Sequence, residues 1–115
     1  MTATTAYKVL TAAQMDLLEQ AGRFAGAPVD LADGYIHLST AHQLTETVDK
    51  HFAGQDNLHV AAVDLEVLGA AVKWEESRGG QLFPHLYAPL PLDAVIAYGP
   101  LERDADGTVR LPVAG

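Results

Sequence analysis

The sequence predicts an α+β fold, and three observations carry that prediction. Helical periodicity is confined to the front of the chain, short alternating apolar runs dominate the later part, and the regular βαβα succession of a doubly wound fold is missing. Two helices in the N-terminal half and about six short strands, in mixed or antiparallel sheets, are therefore expected.

Residues 7–10 (YKVL) read as a short strand. Thr11 follows as a helix N-cap with Gln14 three residues on, the spacing of a capping box. Leu17, Leu18 and Ala21 continue the helical period, and Gly22 stops it. Residues 22–34 (GRFAGAPVDLADG) hold three glycines and a proline and read as a long loop, of the kind that is often functional in a small domain. Residues 35–38 alternate as a strand, Ser39 or Thr40 caps the next helix, and Thr40 with Gln43 repeats the capping-box spacing. That helix runs to about Phe52, with Leu44, Val48 and Phe52 on one side. Residues 54–57 (GQDN) are a turn, and residues 58–65 (LHVAAVDL) are the strongest strand signal, expected at the centre of a sheet. Residues 66–70 read as a turn or a single helical turn, 72–75 as a strand, 77–80 (SRGG) as a loop, 86–88 as a short strand between two prolines, and 95–100 as a strand. Residues 104–107 (DADG) turn the chain so that 108–111 pair with what precedes them. Residues 1–6 and the last four are expected to be loose ends.

A chain of 115 residues with 49% hydrophobic content suits one domain, 1–115, with a real core. Without cysteine it has no disulfide, iron–sulfur cluster, Cys-ligated zinc or thiol nucleophile. No apolar run approaches a membrane span, and the first residues lack the pattern of a secretory signal, so a cytoplasmic protein is expected. The net charge of −8, with seven unclustered Lys and Arg, argues against a large nucleic-acid interface. A site for one or two phosphates stays open, so a small nucleotide remains a candidate partner. The sequence does not specify an oligomeric state. Phosphate-binding glycine motifs, a nucleophile elbow and HExxH are absent, and His37, His42, His51, His59 and His85 have no tight metal-ligand spacing.

Three polar clusters remain. In the first, strand alternation puts His37 and Ser39 on one face, ending at the helix start marked by Thr40. Such a place can hold a ribose or phosphate oxygen; equally, Ser39 and Thr40 can simply cap the helix while His37 bonds a backbone carbonyl. The second is KWEESRGG, residues 73–80, with Glu75 or Glu76 as a strand-end carboxylate, Arg78 after it and Trp74 as an aromatic wall or a core residue. The third is FPHLY, residues 83–87, where alternation places Phe83, His85 and Tyr87 on one face and Pro84 stiffens the backbone before His85.

As they stand here and in this order, DGYIHLSTAHQLTET, FAGQDNL, WEESRGGQLFPHLY and PLPLDAV resemble the DUF952 family of small bacterial proteins. The resemblance spans roughly residues 7–101. In one departure, family members tend to carry a tryptophan in the first helix where this chain has AQMDLL, with Met15 nearby. The resemblance implies a fold of the ADP-ribosyltransferase type, a strongly bent α+β domain on two short sheets with a cleft between them that binds NAD. The stretch IHLS…LHVAAVDL is also similar, more distantly, to the core of the RNA 2′-phosphotransferases of that superfamily. In the superfamily a histidine contacts the nicotinamide ribose, an aromatic residue stacks on nicotinamide, and a later carboxylate stabilises an oxocarbenium-like state or orients the nucleophile.

Carried onto this chain, the resemblance implies His37, Glu75 and His85 as catalytic residues. His37, Ser39, Thr40, Trp74, Arg78 and Tyr87 would hold an NAD or ADP-ribose derivative, with Arg78 at the pyrophosphate and His85 and Tyr87 on the opposite wall. NAD-dependent ADP-ribosyl transfer or NAD glycohydrolysis is the leading expectation, with no metal. A non-catalytic nucleotide-sensing domain, a metal-dependent hydrolase built on His37, His85 and Glu75, and a protein-interaction module are the alternatives.

Overall fold

In the computed structural model, which describes residues 4–112, the first strand begins earlier than its pattern suggests. β1 spans Thr5–Thr11 and α1 Ala12–Ala21. The expected loose ends beyond these limits, 1–3 and 113–115, lie outside the described residues. The predicted capping box is complete: the Gln14 N–H donates to Thr11 Oγ1 at 3.1 Å, and the Thr11 N–H to Gln14 Oε1 at 2.9 Å. Gly22 ends α1 in the left-handed region, φ +76°, its N–H donating to the Leu18 carbonyl.

The long loop expected over residues 22–34 is instead β2 (Arg23–Phe24) followed by α2 (Pro28–Asp33). A six-residue helix is too short to show an apolar period, which is why only its ends betray it. Pro28 sits at the first helical position, and Gly34, at φ +89°, closes it. β3 (Ile36–His37) and α3 (Ala41–His51) follow, with Thr40 at the N-cap as one of the two expected residues. β4 (Leu58–Asp64) runs into α4 (Leu65–Leu68) and a 3-10 turn, Gly69–Ala71. The remaining strands are β5 (Val72–Glu76), β6 (Leu82–Leu86), β7 (Leu90–Pro91) and β8 (Val95–Pro100). The N-terminal half thus holds three helices rather than two, and α4 is a fourth.

Every ladder among the described residues is antiparallel. The sheets have the orders β1-β4-β8, β2-β7 and β3-β6-β5. β4 is central, as its apolar run requires. A bulge between Ala62 and Val63 breaks its register with β8. The strand expected over residues 86–88 is corrected to β6, which passes through Pro84 in the middle of its sheet. The Pro84 carbonyl accepts the Leu38 N–H, so the missing N–H falls on the side where β3 is already ending, and the ladder to β5 is spared. The DADG turn brings Val109 opposite Arg103, as expected.

Alternation along β1 feeds two cores. Ala6 and Leu10 join Met15, Leu18, Ile36, Leu38 and Leu86 in the larger, while Val9 joins Leu44, Val48, Leu58 and Val60 in the smaller. Met15, in α1, is fully buried in the larger core. An antiparallel bridge between Tyr7 and Ser39 ties the first sheet to the third: each N–H donates to the other's carbonyl, at 2.8 and 2.9 Å. This tie sets the end of β3 beside β1. No helix among the described residues is long and apolar enough to cross a membrane.

Candidate functional site

Register decides which side chains meet. His37 is paired with His85 across β3 and β6, and His85 with Lys73 across β6 and β5, so all three project from one face of the sheet. Glu75, paired with Phe83, lies on that face too. The rings of His37 and His85 are 5.8 Å apart at 67°. Tyr35 stacks on His85 at 4.0 Å and 20°, and touches the rings of His37 at 4.7 Å and Tyr87 at 5.3 Å. Four aromatic rings thus form one cluster, drawn from two motifs about fifty residues apart.

Each histidine is held by a carboxylate. His85 Nδ1 lies 2.8 Å from Glu75 Oε1, and the Tyr87 hydroxyl donates to the same oxygen at 2.6 Å. These hydrogen bonds, Tyr87 first and then His85, hold Glu75 below the usual glutamate range. In return the bond to Glu75 pushes the Tyr87 phenol up to about 12. Lys73 stands over the Tyr87 ring at 5.0 Å.

The partner of His37 comes from α2. Asp30, 1% exposed, accepts four bonds: from Lys8 Nζ at 2.9 Å and the Ala27 N–H at 2.8 Å on Oδ2, and from the His37 N–H at 3.0 Å and Nδ1 at 2.6 Å on Oδ1. Burial pushes this carboxyl up, but the His37 bond, the Lys8 charge and the two backbone N–H groups outweigh it and hold Asp30 well below the usual aspartate range. Burial pulls the Lys8 ammonium down, and the Asp30 charge works against that pull. His37 Nε2 lies 2.9 Å from Asp33, at the exposed end of α2. Carboxylate oxygens only accept, so both ring bonds are made when His37 carries two N–H groups. Burial first, and then the charges of Asp33, Glu75 and Asp30, push the Tyr35 phenol up.

Tyr35 and His37 open onto a cleft of about 580 Å³, also lined by the buried His85 against which Tyr35 stacks, by Asp30, Asp33, Pro28 and Val29 of α2 and by residues of β1, α1 and α3. That volume is in the range of small-molecule sites. Glu75 is not among the residues lining it; it stands behind His85.

The other sequence-predicted residues are placed as follows. Ser39 lines the cleft, and its hydroxyl bonds the Thr47 hydroxyl of α3 at 2.8 Å. Thr40 caps α3, and Gln43 Oε1 accepts its N–H. Trp74, paired with Pro84, lies on the opposite face of β5 from Glu75 and packs against the larger core, away from the aromatic cluster. The side chain of Arg78 lies outside the described residues. Among the described residues no three His, Asp or Glu side chains are grouped to hold a metal ion, and the His37 nitrogens already face carboxylates. Lys8, Asp30, Asp33 and Tyr35 were not anticipated. The signal for Asp30 lay in APVDLADG: proline at the first helical position, an acid two residues later and a closing glycine.

The model of a family described as a protein of unknown function, DUF952, matches residues 9–98. No curated protein matches. The crystal structure of protein CC0527 from Caulobacter crescentus is similar at 51% identity and a TM-score of 0.85, covering 94% of this chain and 95% of that one. The solution NMR structure of CC0527 is similar at 51% identity and a TM-score of 0.78, covering 93% and 91%. With the family model matching residues 9–98, most of its length, the chain belongs to the DUF952 family.

Proposed function

We propose that the cleft binds NAD or an ADP-ribose-type nucleotide in a domain of the ADP-ribosyltransferase type, with the nicotinamide ribose against Tyr35, His37 and His85. The observation that carries this reading is the pairing of His37 with His85 in register, with Tyr35 stacked beside them at the wall of a 580 Å³ cleft. A half-buried tyrosine ring suits a flat heterocycle. Asp33, on the lip, suits the ribose hydroxyls, because a carboxylate accepts where they donate.

This reading gives the carboxylates different roles. Glu75 is engaged by His85 and Tyr87 and acts by positioning His85. Asp33, 2.9 Å from His37 Nε2 and lining the cleft, is the carboxylate this reading sets against the ribose. In glycohydrolysis the C–N bond breaks with its electron pair going to nicotinamide, the ribosyl cation is stabilised by Asp33, and the oxygen of water bonds the ribose carbon as its proton passes to Asp33.

Titrating NAD and ADP-ribose into the full chain while following the His37 and His85 amide resonances tests the binding. Saturable shifts at both are expected, and no shift at millimolar ligand rejects the reading. Chromatography of the same mixtures separates turnover from binding. Nicotinamide release lost in Asp33→Asn marks an enzyme. Saturable binding with no release favours the second reading, a nucleotide-sensing domain, for which the engagement of Glu75 away from the cleft speaks.

A further inference from the structure

The cleft is larger than its aromatic-imidazole end, and its lining falls into two groups. One comes from α2, β3 and β6, and is described above. The other comes from β1, α1 and the C-terminal part of α3, and nothing so far gives it a task. The Tyr7–Ser39 bridge joins the two: Ser39 is two residues beyond His37, or about 7 Å along an extended chain.

We propose that this second end, walled by Tyr7, Val9 and Phe52 and rimmed by Gln14 and Gln55, is a subsite for a planar purine base of the adenine type. The proposal rests on the nucleotide reading above and adds where the base goes. Tyr7 and Phe52 are only partly buried against the smaller core, so their rings supply apolar surface at the cleft. Gln14 cannot turn freely: its Oε1 accepts the Thr11 N–H, which leaves Nε2 to donate to a ring nitrogen. Gln55 lies beyond α3 on a backbone tied to Phe52 by an N–H to carbonyl bond of 3.1 Å. Its amide has the donor–acceptor pair that matches the amino and ring-nitrogen edge of adenine. Aromatic wall, donor and amide pair together describe a base rather than a sugar or a phosphate.

Adenosine monophosphate is the probe, with ribose 5-phosphate as its control lacking a base. On the full chain, adenosine monophosphate should shift the amides of Val9, Gln14, Phe52 and Gln55 to saturation, and ribose 5-phosphate should not. Phe52→Leu keeps apolar packing but removes the ring, and should weaken adenosine monophosphate about tenfold. Gln55→Ala, at an exposed position, should weaken it several-fold without affecting folding. Neither variant should change the affinity for nicotinamide mononucleotide. The subsite is overturned if adenosine monophosphate shifts none of the four amides, if ribose 5-phosphate shifts them equally, or if both variants bind like the parent. NAD that moves His37 and His85 while adenosine monophosphate moves nothing leaves the nucleotide reading standing without the subsite. Adenosine monophosphate that saturates the second end while NAD leaves His37 and His85 unmoved does the reverse.

Discussion

The two carboxylate–imidazole pairs of the site are built with opposite burial. In the α2–β3 pair the carboxylate is hidden and the imidazole half open: the Asp30 side chain is 1% exposed and that of His37 33%. In the β5–β6 pair the imidazole is hidden and the carboxylate open: His85 is 3% exposed and Glu75 40%. A buried carboxylate is tolerated only when fully paired, and Asp30 meets that condition with donors from three parts of the chain. Asp30 is therefore both part of the fold and the orienter of His37. Glu75 keeps part of its solvation and is not itself a buried charge. It acts on His85 and Tyr87 locally. The difference separates a carboxylate the fold depends on from one that acts locally on its two partners.

The largest test of that contrast is Asp30→Ala. It leaves the Lys8 ammonium buried without its counter-charge and should cost about 3–5 kcal/mol in urea denaturation. Asp30 stays ionised to lower pH in the folded than in the unfolded chain. Its contribution is therefore complete above the unfolded value, near pH 4, and lost as pH falls toward the folded value. Asp30→Asn should be less stable at neutral pH and show a flatter decline below about pH 4. A decline as steep as the parent's would mean that other carboxylates govern acid unfolding. Ser39→Ala breaks the hydroxyl bond from β3's end to α3 and should cost about 1 kcal/mol. Glu75→Gln should leave the urea midpoint close to the parent's while Tyr87, freed from the carboxylate, titrates well below 12 by ultraviolet absorbance. A large loss of stability in Glu75→Gln would erase the contrast between the pairs.

Legibility in the sequence followed how local each signal was. The Thr11–Gln14 capping box, the Gly22 stop, α3 and the central β4 are each written within a dozen residues, and all are in place. The Phe83, His85 and Tyr87 face was readable from alternation alone. The same rule already divides Trp74 from Glu75, since adjacent strand residues point to opposite faces, so they could not share one wall. Asp30 was hidden for a different reason. Its partners Lys8 and His37 lie 22 residues before it and 7 after, and only the short helix between Ala27 and Gly34 brings them together. Tyr35 was passed over because its partner, His85, is fifty residues away in the chain and beside it only once β3 and β6 pair.

The central claim is that His37 and His85 face one ligand. The most direct measurement is of intermolecular nuclear Overhauser effects from bound NAD to the ring protons of Tyr35, His37 and His85. Contacts from the nicotinamide riboside protons to both histidine rings in one saturable complex are expected. Contacts to neither ring, or to only one of them at saturation, would contradict it.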